Sequence, residues 1–260
     1  MRKIITEVQS LGIRFPAENQ KRNGGAGPAE GGTFIFGDKA VNVPMGQPYV
    51  ADSPYHIIFQ GNDYVLLKDH TECCKLALPG KPNFYGYYTQ DNIRYDQIAL
   101  VHGKDCLAST VLQNCLYWNT PRQCTFCAIG ESLAQKKTIA RKSPLQLAEV
   151  AQKARDLDSI GHIVLTTGTG KPPGEEILHL ASCTRAIKEK VALPVHVQFA
   201  PPEDLSLLNE LREAGVNTVG IHIECFDQQA LKRIAPIKAQ IGFKNYEKAW
   251  KKAVELFGPN

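Results

Sequence analysis

From residue 143 onward the apolar spacing switches repeatedly between the helical period and period two, and no other feature of the sequence constrains the fold as much. Ser143-Pro144-Leu145-Gln146 reads as an N-cap, a proline at the first helical position and a capping-box glutamine. Leu145, Leu147, Val150, Ala151, Ala154 and Leu157 continue it as a broad apolar helix face. Residues 162–169 read as a strand, 175–190 as a helix with acids in its first turn and bases in its last, and 194–200 as a strand. A helix over 203–214 closed by Gly215, a strand over 218–225 and a helix over 245–257 complete the series. Such β-α repetition builds a parallel sheet, either doubly wound or rolled into a barrel.

Polar residues inside the strands favour the barrel. Val195, Val197 and Phe199 alternate with His196 and Gln198, and Val219, Ile221 and Ile223 alternate with His222 and Glu224. Period two puts each polar set on one face, lining an interior near the strands' C-terminal ends, where barrel active sites sit. The expectation is therefore an α/β chain: a partial (β/α) TIM-like barrel over 106–260, preceded by a small β-rich region over 1–105. In that region TFIF, AVNV, YHIIF and YVLL are short runs separated by Gly, Asp, Asn and Pro. Ile4, Ile5, Val8 and Leu11 mark one further short element before it. The glycine-rich stretch 19–32 could wrap a ligand with its backbone or be a plain loop. About four strand–helix units do not close a barrel, and an open parallel edge invites association. The reading favours a chain truncated at its C-terminus.

The bulk numbers exclude other classes. The 260 residues suffice for a sizeable core, and 43% hydrophobic with 22% charged is ordinary for a globular protein. A net charge of +4 from 30 basic and 26 acidic residues is too mild to imply nucleic acid. No run of about 18 apolar residues suggests a membrane span, and the N-terminus lacks the apolar core of a signal peptide. A cytoplasmic location follows by default, and there the eight cysteines are not a disulfide framework.

Chemistry concentrates between the strand-like run 106–113 and the first helix of the series. Cys115, Cys124 and Cys127 are spaced C-x8-C-x2-C. Thiolate is the ligand that iron–sulfur iron and zinc both favour, and three of them would leave one metal position open. A zinc ribbon needs a second CxxC, which the chain lacks. A thioredoxin-type pair would open a helix, and the helix here is expected to start only near Pro144; a pair of buried thiols would leave Cys115 unexplained. Cys73, Cys74, Cys106, Cys183 and Cys225 share no ligand spacing and read as ordinary core or surface residues. Gly168-Thr169-Gly170-Lys171 looks like the end of a phosphate loop, but Leu165 and Pro172 stand where glycine and Ser or Thr are required. Lys136, Lys137, Arg141 and Lys142 lack interleaved aromatics and read as a solvated basic face. Phe84, Tyr85, Tyr87 and Tyr88 could wall a substrate site, and read rather as packing.

The cysteine loop resembles that of the radical S-adenosylmethionine (radical SAM) superfamily, which follows the first strand of a partial barrel. Cys124 and Cys127 match the family's C-x2-C and Phe126 its aromatic; the first gap is eight where the family has three. Thr166-Thr167-Gly168-Thr169 stands where the family's Gly-Gly-Glu-like segment meets the methionine amino group. Glu224 stands at the acid of the fourth strand, and Arg233 and Lys238 resemble a basic segment that meets the methionine carboxylate or that acid. More narrowly, GGAGP, ALVHGKD, STVLQNC, CAIGESLA, TIARKSPLQLAEVA and LTTGTG resemble the radical SAM family encoded beside Nit1-type nitrilases.

The resemblance implies a [4Fe–4S] cluster on Cys115, Cys124 and Cys127. It implies S-adenosylmethionine bound by Phe126, Thr166, Thr167, Gly168, Glu224 and Arg233. It also implies reductive cleavage to a 5′-deoxyadenosyl radical that takes hydrogen from a small-molecule substrate. The partners implied are that substrate and an electron donor such as flavodoxin or ferredoxin, with neither nucleic acid nor membrane. His196, Gln198 and His222 are candidates for positioning substrate or are hydrogen-bonded interior groups. The rival reading is a non-catalytic iron–sulfur or zinc module, with Cys225 or a histidine as a fourth ligand.

Overall fold

The structure, a computed structural model, describes residues 1–15, 31–61 and 63–259, so most of the glycine-rich stretch 19–32 lies outside the described residues. The chain divides into two units, one holding the described residues up to Lys81 and the other those from Pro82 onward.

The first unit begins with helix α1 (Arg2–Leu11). Strands β1 (Gly32–Phe36) and β2 (Lys39–Val43) pair as an antiparallel hairpin. Strands β3 (Tyr55–Gln60), β4 (Asp63–Lys68) and β5 (Thr71–Leu76) form an antiparallel meander. Val8, Ile13, Phe34, Phe36, Ile57 and Leu66 make its core. Strand β5 was not foreseen, because TECCKL carries none of the apolar alternation that marks the other four.

The second unit is built on one five-stranded sheet. After helix α2 (Tyr95–Ile98), strands β6 (Leu100–His102) and β7 (Cys106–Thr110) form an antiparallel hairpin about the HGKD turn. Helix α3 (Ile129–Ala134) and helix α4 (Pro144–Asp158) lead to β8 (His162–Thr166). Helix α5 (Glu175–Lys190), β9 (Val195–Gln198), α6 (Leu207–Glu213) and β10 (Thr218–Gly220) follow. Helices α7 (Gln228–Ile234), α8 (Pro236–Ile241) and α9 (Phe243–Phe257) complete it. The strand order is β10-β9-β8-β7-β6, with β7 to β10 parallel and β6 antiparallel at the edge.

Local chemistry explains these elements. At α4 the Ser143 hydroxyl accepts from the Gln146 N–H while the Gln146 side chain accepts from the Ser143 N–H. That reciprocal cap stabilises the helix by roughly 1 kcal/mol. On the sheet, Ile163, Leu165, Val195 and Val197 are fully buried under the helices, each worth about 2 kcal/mol. The intervening His162, Val164, Thr166, His196 and Gln198 are half-buried on the opposite face, so the alternation predicted from sequence is present.

The last strand is shorter than predicted, ending at Gly220 rather than at residue 225. Its final rung is the Phe199 N–H on the Gly220 carbonyl. Two residues later the neighbouring chain reaches Pro201 and Pro202, which have no N–H to donate, and the ladder stops. Helix α6 starts at Leu207 instead of 203, because the Asp204 side chain accepts from the Ser206 N–H and holds a turn there. Helices α3, α7 and α8 are one to two turns long, too short to show a period.

Candidate cofactor site

The site is assembled where the parallel ladder runs out. Strand β7 ends with the Thr110 hydroxyl 2.8 Å from that of Thr166 on β8. Beyond that rung the two chains stay together: the Val111 N–H donates to the Thr166 carbonyl at 2.8 Å and the Gly168 N–H to Leu112 at 3.0 Å. The Leu116 N–H donates to the Thr169 carbonyl at 2.9 Å. Thr166, Thr167 and Gly168 are thereby seated against the segment that carries Cys115. Only glycine fits at 168, where a Cβ would lie 2.0 Å from the Asn114 carbonyl oxygen.

The cysteine loop turns back on itself and is fastened to the far side of the sheet. The Trp118 N–H donates to the Cys115 carbonyl and the Cys127 N–H to that of Cys124. The Trp118 indole covers Gly130 so closely that a Cβ there would be 2.3 Å from the ring. The Thr125 N–H donates to the Ile234 carbonyl at 2.8 Å, and the Ile237 N–H to Arg122 at 3.3 Å. These bonds tie the loop to the junction of α7 and α8. Phe126 is 40% exposed on the loop.

The three thiols are half-buried. Burial pushes the Cys124 thiol up to about 11, with Lys238 pulling it down and Cys127, Cys115 and Glu224 adding to the rise. Burial raises Cys127 as well, opposed by a hydrogen bond from the Ile129 backbone. Among the described residues no three His, Cys, Asp or Glu side chains are drawn together tightly enough to hold a metal ion. By donor chemistry and neighbourhood the three thiols suit a cluster; coordination requires them to deprotonate and to turn toward a common centre.

Gln113, two residues before Cys115, is anchored from below. Its amide N–H donates to the Ile129 carbonyl at 3.1 Å, and its Oε1 accepts from Lys142 Nζ at 3.2 Å. Lys142 also donates to the Thr138 hydroxyl at 2.6 Å. Sequence reading placed Lys142 on a solvated basic face; it is 1% exposed, and desolvation pulls its pKa down to about 7. Its neighbour Arg141 does reach solvent and pairs with Glu175. One residue of phase separates the two side chains, and no composition signal distinguishes them.

Past β10, side chains take over from the ladder. The Trp250 indole N–H donates to the Ile221 carbonyl at 2.8 Å. Lys238 Nζ donates to the His222 carbonyl at 2.7 Å and to Glu224 Oε1 at 2.5 Å. Glu224 itself sits at φ +72°, in the left-handed region that a non-glycine residue enters only when its surroundings impose it. Arg233 is exposed on α7, so it is Lys238 that meets the acid.

The polar face of the sheet continues between these two ends. His196 Nδ1 is 2.7 Å from the Thr218 hydroxyl, and Gln198 Nε2 is 3.3 Å from His196 Nε2. A Cβ on Gly220 would lie 3.0 Å from His222 Nε2 and 3.1 Å from His196 Nε2, so glycine lets both rings turn over it. Burial and the nearby His222 and His162 hold His196 below the usual histidine range. A cleft of about 700 Å³ lies beside the loop, lined in part by Tyr117, Arg122, Asp204 and Lys248. It includes none of the cysteines, nor Glu224 or Gln198, so it adjoins this constellation and does not contain it.

A family profile described as the radical SAM superfamily matches residues 120–259. The crystal structure of methylornithine synthase (PylB) is similar over 58% of this chain and 41% of its own, at a TM-score of 0.44 and 17% identity. This chain thus spans less than half the length of that synthase. No curated protein matches the sequence.

Proposed function

From the premise that this chain belongs to the radical SAM superfamily, whose enzymes have an α/β TIM-like fold and use a [4Fe–4S] cluster and S-adenosylmethionine, we propose that it is a radical SAM enzyme acting on a small-molecule substrate. When bound, the cluster supplies the electron that cleaves S-adenosylmethionine and starts hydrogen abstraction from the substrate. Cys115, Cys124 and Cys127 are its three ligands, which leaves one iron to S-adenosylmethionine. The observation that carries the assignment is the run of hydrogen bonds seating Thr166 to Thr169 against the Cys115 segment.

In this reading the Thr166-Thr167-Gly168 backbone and the Thr167 hydroxyl face the methionine end of S-adenosylmethionine. Glu224, held by Lys238, orients its polar groups, Arg233 supplies positive charge from α7, and Phe126 packs near the adenine. His196, Gln198 and His222 position the substrate on the polar face of the sheet. The cysteine loop and the polar face belong to a catalytic core that starts at Pro82 and not at the expected residue 106, because strand β6 is already part of its sheet; the β-rich region up to Lys81 is an accessory. The motifs quoted above favour the family encoded beside Nit1-type nitrilases. The electron comes from a flavodoxin- or ferredoxin-like donor in the cytoplasm.

The test is anaerobic reconstitution with iron and sulfide, followed by dithionite and S-adenosylmethionine and an assay of 5′-deoxyadenosine. The proposal expects product from the wild type and none from Cys124→Ala. A protein that takes zinc and no iron–sulfur cluster would sink it.

A further inference from the structure

Two imidazoles converge on one spot of the polar face. The point where Gly220 would carry a Cβ lies 3.0 Å from His222 Nε2, 3.1 Å from His196 Nε2 and 3.2 Å from the Gln198 side chain. The two ring nitrogens are thus no further apart than the sum of their distances to that point. His196 is held on both sides, by the Thr218 hydroxyl at Nδ1 and by the Gln198 amide nitrogen at Nε2. An amide nitrogen only donates, so Nε2 accepts and the proton of the neutral ring sits on Nδ1. The ring turns a lone pair toward the space over Gly220.

Strand register fixes what else shares that face. Ala108, Val164, His196 and Thr218 form one layer across the sheet, and Thr110, Thr166, Gln198 and Gly220 the next. Cys106 and His162 lie one layer below. None of these residues is a carboxylate. The acids at the two ends already have partners, Asp105 at 3.8 Å from His162 Nδ1 and Glu224 on Lys238. Among the described residues no ion pair involves His196 or His222. Burial, then His222 and His162, hold His196 below the usual histidine range. An incoming negative charge reverses that pressure, since it favours the protonated ring. A metal ion suits the pair less, because the groups beside it are a hydroxyl and an amide already engaged by His196.

We infer that His196 and His222 clamp an oxyanion of the substrate over Gly220, with the Gln198 amide as a further donor, so that the substrate is a carboxylate or a phosphate ester. The inference rests on the reading of this face as the substrate site of a radical SAM enzyme. Binding takes one proton from solvent onto His196, which turns Nε2 from acceptor to donor. The Gln198 N–H is released by that change to turn toward the same anion. Glycine is required at 220 because a Cβ would occupy the space between the rings. His222 is exposed, so the clamp opens to solvent.

The experiment adds sodium phosphate or sodium acetate, at constant ionic strength, to the reconstituted full chain and follows the histidine Cε1–H resonances against pH. Assignments come from His196→Gln and His222→Gln. With either anion the His196 midpoint should rise by about 1 in pH and the His222 resonance should move. His179, buried on α5, should not respond. Calorimetry in two buffers of different ionisation enthalpy should show proton uptake on binding. Each glutamine variant, and Gly220→Ala, should weaken binding about tenfold. Tighter binding of phosphate assigns a phosphorylated substrate, and tighter binding of acetate a carboxylic acid. Histidines indifferent to both anions, or an affinity unchanged by all three substitutions, overturn the inference. If the variants do not fold, the wild-type calorimetry decides, and binding without proton uptake overturns it. The 5′-deoxyadenosine assay on the same preparation separates the two readings. An active enzyme whose histidines ignore both anions refutes this inference alone. Responsive histidines in a protein that makes no 5′-deoxyadenosine leave the anion clamp standing and refute the radical SAM reading.

Discussion

Past its last rung at β7 the chain is held by groups buried out of water, whereas past β10 it is held by groups that reach solvent. On the first side Lys142, 1% exposed, anchors Gln113 directly below the cysteine loop. On the second, Lys238 and Glu224 pair with side chains 17% and 31% exposed. Both arrangements replace missing ladder bonds with a lysine, but burial makes their energetics different. A desolvated hydrogen bond is costly to lose and sensitive to protonation, while a partly solvated ion pair contributes little to stability. The β7 side is built as scaffold; under the proposed function, the β10 side would exchange its partner for a ligand.

The sharpest way to break this comparison is at Lys142. Lys142→Ala removes a buried stem and leaves the Gln113 Oε1 unsatisfied. It should cost about 3 kcal/mol at pH 9 to 10 in denaturant titrations. The pH dependence has a definite sign. The folded pKa of about 7 lies below the ordinary 10.5, so between those values the unfolded chain binds the extra proton and stability rises with pH. Relative to Lys142→Met, wild-type stability should climb by up to about 1.4 kcal/mol per pH unit from about pH 7 to about pH 10, and stay level below. A difference that is flat throughout would mean the amine is not desolvated.

A smaller effect is expected at the seam between the sides. Gly168→Ala forces a Cβ into the Asn114 carbonyl and should cost about 2 kcal/mol. It should also lower iron uptake, because the displaced segment carries Cys115. The smallest effect on stability belongs to Lys238→Met, within about 1 kcal/mol. If Glu224 serves the cofactor, calorimetry should nonetheless show S-adenosylmethionine binding weakened about tenfold, the loss expected for one charge-assisted contact. A large stability loss with unchanged affinity would reverse the contrast.

The two sides also differ in how much of them could be read in advance. The parallel strands, α4 with its capping box and α5 with its charged ends follow from spacing alone, since each uses a local rule that nothing distant overrides. The alternation at Val195 to Phe199 survives because burial on one face enforces it. Legibility failed where the chain leaves regular structure. Lys142 looks no different from Arg141 until the fold buries one and not the other. The strand ending at Gly220 depends on prolines about 20 residues earlier in the chain, on a neighbouring segment. The Glu224 motif was visible, but its left-handed backbone and its pairing with Lys238 over Arg233 depend on where α7 and α8 place the bases. His196 and His222 were visible as alternating polar residues; that their rings converge over Gly220 is a tertiary fact.

The central claim is that three thiolates hold a cluster whose remaining iron is open to S-adenosylmethionine. EPR of the reduced, reconstituted protein with and without S-adenosylmethionine tests it most directly. The account predicts a [4Fe–4S] signal whose g values change when S-adenosylmethionine is added and that is absent from Cys124→Ala. A cluster signal indifferent to S-adenosylmethionine would mean that a fourth protein ligand closes the site, and would contradict the account.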